Sequence, residues 1–326
     1  MKILFFQSPT TNWENEVEIL KKEFPGVKFI PQKDIKEDDI REAKAFVGLT
    51  SSDNIEKAAN LDIIFLNFTG SDRIPFDLMG ERGVRISNTH GNARFVAERA
   101  LAMTMAFYGK IIPFHYDLKK GKWHGVWGGK GESDSWDSLF EKNCAIIGTG
   151  EIGKWIARYL KLFNCNITGF KKKSFSGKLE NFDRLTTDLK EALADNEIIF
   201  VTLPLTNDTR GMFTPEILSK MNNKFIINVG RGEVIDEEGL YDSLKNGTLK
   251  GAALDVWYSY PDWDNYKAKN PSRFPFSELE NVLLSPHVGG SVPDALKVNL
   301  SQTVDNIRAY LKSEDPDFEV NISEQY

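Results

Sequence analysis

Residues 143–158, NCAIIGTGEIGKWIAR, restrict what this chain can fold into more than any other stretch. Cys144 to Ile147 is a short apolar run of the kind that forms a strand buried on both faces. Gly148, Gly150 and Gly153 follow at once in the spacing G-x-G-x-x-G, and Ile152, Trp155, Ile156 and Leu160 then recur at helical intervals. Strand, glycine turn and amphipathic helix in that order predict one βα unit of a parallel sheet. Gly148 suits a tight turn, Gly150 leaves the backbone open to a pyrophosphate, and Gly153 lets the helix pack close to the strand. The helix N-terminus adds free N–H groups and a positive dipole end. A glycine-rich turn that binds nothing is the alternative. The flanking strand and helix are the context that the binding motif requires.

The chain has 326 residues, longer than one ordinary core, and fits two domains. With 41% hydrophobic and 27% charged residues the composition is globular, which excludes a disordered or fibrous class. A formal net charge of −6 argues against a general nucleic-acid surface. Cys144 and Cys165 fall in or beside predicted core strands and read as buried small hydrophobes in a reducing compartment. The four histidines and two cysteines never approach ligand spacing, so no metal site is expected. The start, MKILFFQSPT, has a short apolar run without a cleavage site and reads as a first strand. No apolar run approaches bilayer length. A soluble, cytoplasmic protein that uses no membrane is expected.

Apolar strand candidates alternate with helical patterns. Lys2–Phe6, Ala45–Gly48, Asp62–Asn67 and Val84–Ser87 read as strands and Asn12–Phe24 as a helix, a small α/β unit ending near Asn92. Ala93–Tyr116 reads as one long helix bridging the domains, and Lys119–Leu139, with Trp123, Trp127 and Trp136, as an extended loop. Those tryptophans suit a pocket lining, a neighbouring subunit or the domain's own surface. The second unit counts six strands: the run at Cys144, Ile167–Phe170, Ile198–Thr202, Phe225–Asn228, Ala252–Leu254 and Val282–Leu284. Asp236 is an N-cap for a helix over 236–245 that Gly247 stops. Val292–Lys312 reads as a long amphipathic helix crossing back to the first domain.

Several blocks then agree with one family. NTHGNARFVAERALAM (88–103), IIGTGEIG (146–153), LPLTNDTRG (203–211), INVGRGEVIDEEGL (227–240), GAALDVW (251–257) and SPHVGG (285–290) stand in the order found in the D-isomer-specific 2-hydroxyacid dehydrogenases. The chain resembles that family, which includes phosphoglycerate dehydrogenases, D-lactate dehydrogenases and glyoxylate/hydroxypyruvate reductases. The first domain matches more loosely, through Thr69 to Asp72.

The resemblance implies an α/β fold of two Rossmann-like, flavodoxin-like parallel-sheet domains with a cleft between them. Residues 1–92 plus 293–326 would form a discontinuous substrate-binding domain, and residues 93–292 the dinucleotide-binding Rossmann domain. Arg231, between Gly230 and Gly232 beyond a strand end, can hold a substrate carboxylate and polarise the keto oxygen. His287 can move the proton that hydride transfer to a carbonyl requires. His90 is its only rival, since His115 ends the bridging helix and His124 lies in the Trp-rich loop. By resemblance, Gly148, Gly150, Glu151, Ile152, Gly153, Pro204, Thr209, Val229, Gly230 and Asp255 belong to the cofactor side. Gly70, Ser71 and Asn92 face the substrate, and Val96 and Glu98 lie on a helix that closes over the nicotinamide.

Two positions depart from the pattern. The acidic partner of the histidine stands five residues beyond the Asp of GAALD, and here that place holds Tyr260. A phenol can hold the imidazole but offers no charge. Three readings stay open: Tyr260 orients His287 without charge, Asp262 or Asp264 reaches in from the following loop, or catalysis is weakened or lost. The second departure follows Gly169-Phe170, where an acidic residue would accept the ribose hydroxyls of NAD. Lys171, Lys172 and Lys173 stand there instead, which favours the 2′-phosphate of NADP(H), with NAD(H) as the alternative.

The function expected is that of an NAD(P)-dependent oxidoreductase. It would move a hydride between the nicotinamide and a small 2-keto acid or D-2-hydroxy acid, in a homodimer. A nicotinamide-binding regulator of the corepressor type is the rival, and formate or phosphite oxidation shares the fold.

Overall fold

The computed structural model describes residues 1–6, 11–173, 177–261 and 269–326. The chain divides into two units, Met1–Asn92 with Ser291–Tyr326, and Ala93–Gly290.

In the first unit β1 (Lys2–Phe5), α1 (Thr11–Glu23), β2 (Lys28–Pro31), α2 (Glu37–Glu42), β3 (Ala45–Val47), α3 (Ser52–Lys57), β4 (Ile63–Phe65), α4 (Phe76–Arg82) and β5 (Arg85–Ser87) alternate. The strands form one parallel sheet in the order β2-β1-β3-β4-β5. Period-2 alternation sorts their side chains into two cores. Ile3, Phe5, Ala45, Val47, Ile63 and Phe65 meet Trp13 and Leu20 of α1 on one face, together with Val304 and Ile307 from the end of the chain. Leu4, Phe46, Ile64 and Ile86 meet Ile55, Met79 and Val320 on the other. Strand β2 did not stand out in the sequence. It is an edge strand whose last residue is Pro31, a place where a missing N–H is tolerated.

The second unit opens with α5 (Ala93–Tyr108) and α6 (Ile111–Leu118). These replace the single helix expected over 93–116. Lys110 takes a left-handed φ of 48°, and a Cβ on Gly109 would stand 2.7 Å from the Met105 carbonyl, so the chain turns there. Within the expected loop 119–139, Gly131–Asp134 forms one 3-10 turn. Then come β6 (Asn143–Ile147), α7 (Glu151–Lys161), β7 (Asn166–Phe170), β8 (Arg184–Thr186), α8 (Leu189–Ala194), β9 (Ile198–Val201), α9 (Pro215–Leu218), β10 (Phe225–Asn228), α10 (Glu237–Lys245), β11 (Gly251–Leu254) and β12 (Val282–Leu284). The last helix, α11 (Pro293–Leu311), returns to the first unit.

Among the described residues the second sheet has seven parallel strands, one more than the six read from the sequence, in the order β12-β11-β10-β9-β6-β7-β8. The strand missed is β8, a three-residue edge strand whose Arg184 is exposed. Central strands are apolar on both sides. Cys144, Ile146, Ile198, Phe200, Phe225 and Ile227 point into a core under α5 and α7. Ala145, Ile147, Ile199, Val201 and Ile226 point into another under α10. Each large side chain buried this way contributes about 1.5–3 kcal/mol, so β6, β9 and β10 have their register fixed from both faces. The strand order runs outward from β6 through β7 in one direction and from β9 through β10 in the other. Ligands of such sheets bind at the carboxyl ends of the strands where the order reverses.

Candidate active site

The β6–α7 turn lies at that reversal. Gly148 has φ +112°, and a Cβ there would stand 2.7 Å from Thr202 Oγ1. A Cβ on Gly153 would fall 2.1 Å from the Gly148 carbonyl oxygen, so the helix can approach its own turn only with glycine at that place. Gly150 is different: a Cβ would meet nothing within 4 Å. It is the N-cap of an eleven-residue helix whose first residues are Glu151 and Ile152. The free N–H groups of that helix end, beside a glycine with open space around it, fit the pyrophosphate of a dinucleotide.

Neighbouring strand ends complete this rim. Lys171 N–H donates to the Thr186 carbonyl at 3.1 Å just beyond β7, and Lys172 pairs with Asp208 of the loop after β9. Thr209 closes that loop, its hydroxyl 2.6 Å from the Pro204 carbonyl and accepting the Thr206 N–H at 2.8 Å. Gly230 packs so tightly on it that a Cβ would lie 2.4 Å from the Leu203 carbonyl oxygen. Val229 is buried beside it.

The carboxyl ends of β10, β11 and β12, three adjacent strands, carry the residues expected to do chemistry. Arg231 follows β10 and is half-buried, with Nη1 donating to the Gly230 carbonyl at 2.8 Å. Asn228 fixes this loop by donating to the Arg231 carbonyl at 2.9 Å and accepting the Gly230 N–H at 3.1 Å. A Cβ on Gly232 would lie 2.4 Å from the Trp257 carbonyl, which brings the Arg231 loop against the end of β11.

His287 is exposed at the crest of the loop after β12, between buried Ser285 and buried Gly289. Its φ is +56°. A left-handed conformation costs a non-glycine residue about 1–3 kcal/mol and persists where its surroundings over-determine it. Here Asp255, 2% exposed, supplies that constraint. Its Oδ1 accepts the Ser285 hydroxyl at 2.5 Å and the Val288 N–H at 3.1 Å, and its Oδ2 accepts the Gly289 N–H at 2.8 Å. One carboxylate therefore grips the loop on both sides of His287. Asp255, assigned by resemblance to the cofactor side, is also the anchor of this loop.

Tyr260, where the family pattern has an acid, lies against the histidine. The ring centroids of Tyr260 and His287 are 5.3 Å apart at 52°, and the Tyr260 hydroxyl accepts the Trp257 N–H at 2.9 Å. Trp257 in turn donates from Nε1 to the Ser285 carbonyl at 2.8 Å. Asp262 and Asp264, the other candidates for this role, lie outside the described residues. The segment beyond them is tied down by Glu237, which accepts from the Ser272 hydroxyl at 2.8 Å, Arg273 N–H at 2.9 Å and Arg273 Nε at 2.7 Å. Burial pushes the Glu237 carboxyl up, and these donors outweigh it, holding it below the usual carboxylate range. Burial pushes the phenol of neighbouring Tyr258 up, and its hydroxyl donates to the Ile235 carbonyl at 3.0 Å.

His124 and His90 each have partners within their own unit. His124 stacks on Phe114 at 4.1 Å with its ring nitrogens 2.8 and 2.9 Å from carboxylates of Asp134 and Asp117. His90 belongs to the first unit, where its ring lies 4.7 Å from that of Phe318 and its N–H donates to Gln302 at 2.9 Å. In that unit the Thr69 hydroxyl joins Asn92 Oδ1 (2.8 Å) to the start of the Gly70-Ser71 loop, and the Ser71 hydroxyl donates to the Gln325 carbonyl at 3.1 Å.

Residues 101–289, more than half of the chain, match the model of the D-isomer specific 2-hydroxyacid dehydrogenase NAD binding domain. The chain belongs to that family. As a member it is an oxidoreductase that uses a nicotinamide cofactor, and the β6–α7 turn has the shape such a cofactor needs. The chain is 28% identical over 269 residues to the mitochondrial formate dehydrogenase of Solanum tuberosum, covering 81% of this chain and 68% of that protein. It is 27% identical over 327 residues to the glyoxylate reductase of Pyrococcus furiosus, covering 94% and 92%. The NADPH-dependent glyoxylate/hydroxypyruvate reductase of Sinorhizobium meliloti, solved with NADP and malonate, shares the dehydrogenase fold with a TM-score of 0.76. The two are 23% identical, with 99% of this chain and 97% of that one aligned.

The sequence reading of this dehydrogenase missed the side chains that hold the histidine loop. Ser285 was visible in the SPHVGG block and Arg99 in the helix block, but only the fold brings them together.

Proposed function

We propose that this dehydrogenase reduces a small 2-keto acid to the D-2-hydroxy acid, preferring NADP(H). The observation that carries the reading is the presence of Arg231, Tyr260 and His287 beyond three adjacent strands, with His287 fixed in its exposed position by Asp255. When bound, the nicotinamide supplies the hydride. Arg231 binds the substrate carboxylate through paired N–H donors and polarises the keto oxygen. His287 gives its proton to that oxygen, and Tyr260 braces the imidazole without adding charge. Gly148, Gly150, Glu151, Ile152 and Gly153 take the pyrophosphate, and Lys171 with Lys172 the 2′-phosphate. Pro204, Thr209, Val229, Gly230 and Asp255 shape the remaining cofactor contacts. Gly70, Ser71 and Asn92 of the first unit act on the substrate side, which makes that unit the substrate-binding domain and 93–290 the dinucleotide-binding one.

A homodimer is the second part of the proposal. Helix α6 has no buried residue and exposes Ile111, Ile112, Tyr116 and Leu118, and the following loop exposes Trp123, Trp127 and Trp136. Large apolar residues gathered on one segment favour a protein partner, and a second copy is the one proposed. Free, buried Cys144 and Cys165 support a reducing, cytoplasmic location.

The test is oxidation of NADPH and of NADH, followed by absorbance, with glyoxylate, hydroxypyruvate, pyruvate and a branched 2-keto acid. Formate with NADP⁺ or NAD⁺ is run beside them. Turnover of a keto acid with NADPH well above NADH is expected. Turnover of formate alone would overturn the keto-acid reading, and silence throughout would favour a regulator.

A further inference from the structure

We propose that Ser285 and Arg99 are positioning residues for His287, acting as a relay that ends on Asp255. The proposal rests on the reading of His287 as the proton donor. Ser285 engages every polar group it has. Its N–H donates to the Leu254 carbonyl at 2.9 Å, its carbonyl accepts Trp257 Nε1 at 2.8 Å, and its hydroxyl donates to Asp255 Oδ1 at 2.5 Å. The hydroxyl oxygen in turn accepts from Arg99 of α5, from Nη2 at 2.9 Å and Nε at 3.3 Å.

This geometry settles the direction of the relay. A hydroxyl has one proton and a guanidinium has only donors, so the proton must go to the carboxylate and the lone pairs must face Arg99. Arg99 thus turns the hydroxyl toward Asp255. Asp255 grips the chain ahead of His287 through that hydroxyl and behind it through the N–H groups of Val288 and Gly289. Removing the hydroxyl takes a donor from Asp255 Oδ1, so the carboxylate is no longer held in place and its bonds to the Val288 and Gly289 N–H groups loosen. His287, left-handed and exposed, then loses the constraint that fixes its position. Glycine at 289 is part of the same grip, since a Cβ there would lie 2.8 Å from Asp255 Oδ2.

The test compares Ser285→Ala, Ser285→Thr, Arg99→Met and Arg99→Lys with wild type. Readouts are kcat and KM with glyoxylate and NADPH, the Kd of NADPH by fluorescence, and hydrogen exchange of the Val288 and Gly289 amides. A misplacement on the ångström scale costs about 100-fold in rate, so Ser285→Ala is expected to lower kcat about 10- to 100-fold. The Kd of NADPH should stay within about twofold while the two amides exchange faster, a split that general loss of structure does not produce. Ser285→Thr should recover most of the rate, and Arg99→Lys more than Arg99→Met. Unchanged amide exchange in Ser285→Ala would overturn the proposal, as would a fall in kcat matched by an equal loss of NADPH affinity. His287→Asn separates the two readings. If it keeps wild-type turnover, the proton-donor assignment fails, whereas the exchange data still decide whether the relay holds the loop.

Discussion

The same substitution at two glycines of the β6–α7 turn should fail in opposite ways. At Gly153 an alanine Cβ would lie 2.1 Å from the Gly148 carbonyl oxygen, well inside the 3.0 Å that such atoms respect. The obstructing atom is backbone, so the helix must lift away from β6. Overpacking of this kind costs about 1–3 kcal/mol and more where backbone must move, against about 1 kcal/mol gained from the helix propensity of alanine. Because that atom is backbone, the cost lies at the upper end of that range, and a net loss of about 1–2 kcal/mol lowers the melting temperature of a unit this size by about 2–8 °C. At Gly150 a Cβ meets nothing, and φ −73° suits alanine. Loss of a glycine N-cap and the lower entropy of the unfolded chain are each worth a few tenths to about 1 kcal/mol and oppose one another. Gly150→Ala should therefore melt within about 2 °C of wild type. Its methyl occupies the open space at the helix N-terminus, so NADPH affinity should fall at least about tenfold, equivalent to about 1.4 kcal/mol. Differential scanning fluorimetry and calorimetric titration measure the two effects. Wild-type NADPH affinity in Gly150→Ala, or a wild-type melting temperature in Gly153→Ala, would refute the reasoning.

Replacing both Lys171 and Lys172 by acidic residues should move the preference toward NADH by at least about tenfold in kcat/KM, because carboxylates accept ribose hydroxyls and repel a 2′-phosphate; steady-state kinetics with both cofactors decide it. Tyr260→Glu puts a negative charge beside His287, which favours the imidazolium, so reduction should persist to higher pH than in wild type. An unshifted pH–rate profile would show that residue 260 does not act on the histidine. The Glu237 carboxyl is depressed in the folded state, so its stabilisation is complete above the unfolded carboxylate range and is lost as pH falls through that range and below it. Glu237→Gln should accordingly melt lower than wild type at pH 7, and the difference should shrink at acid pH. Paired charges at Ile111 and Trp127, both exposed, should convert a dimer to a monomer in sedimentation.

What could be read from the sequence follows from where the physical signal is local. Strands β6, β9 and β10 announce themselves because both faces are buried and nearly every residue is apolar. Strands β2 and β8 lie at sheet edges, where one side needs no partner, and so neither Lys28–Pro31 nor Arg184–Thr186 stands out in the sequence as a strand. The break after α5 had a local signal in Gly109, but the left-handed turn at Lys110 has none. Arg231 and His287 were legible through short blocks, whereas the hold on His287 was not. Arg99 and Ser285 stand 186 positions apart and Asp255 and Ser285 30 apart, so only the sheet brings them together.

The discontinuity of the first unit also sets an order of events during synthesis. Residues 1–92 emerge with their five strands, yet one face of that sheet is completed by Val304 and Ile307 of α11 and the other by Val320. Until those residues leave the ribosome, Phe5, Val47, Ile63 and Phe65 have only α1 to cover them. The second unit, Ala93–Gly290, carries both its cores within one continuous span and can close first. Translation adds about 5–20 residues per second, so the early sheet waits of the order of ten seconds or more for its last helix. A nascent chain of this protein therefore has a late exposure window, in which its oldest segment is the one in need of a chaperone.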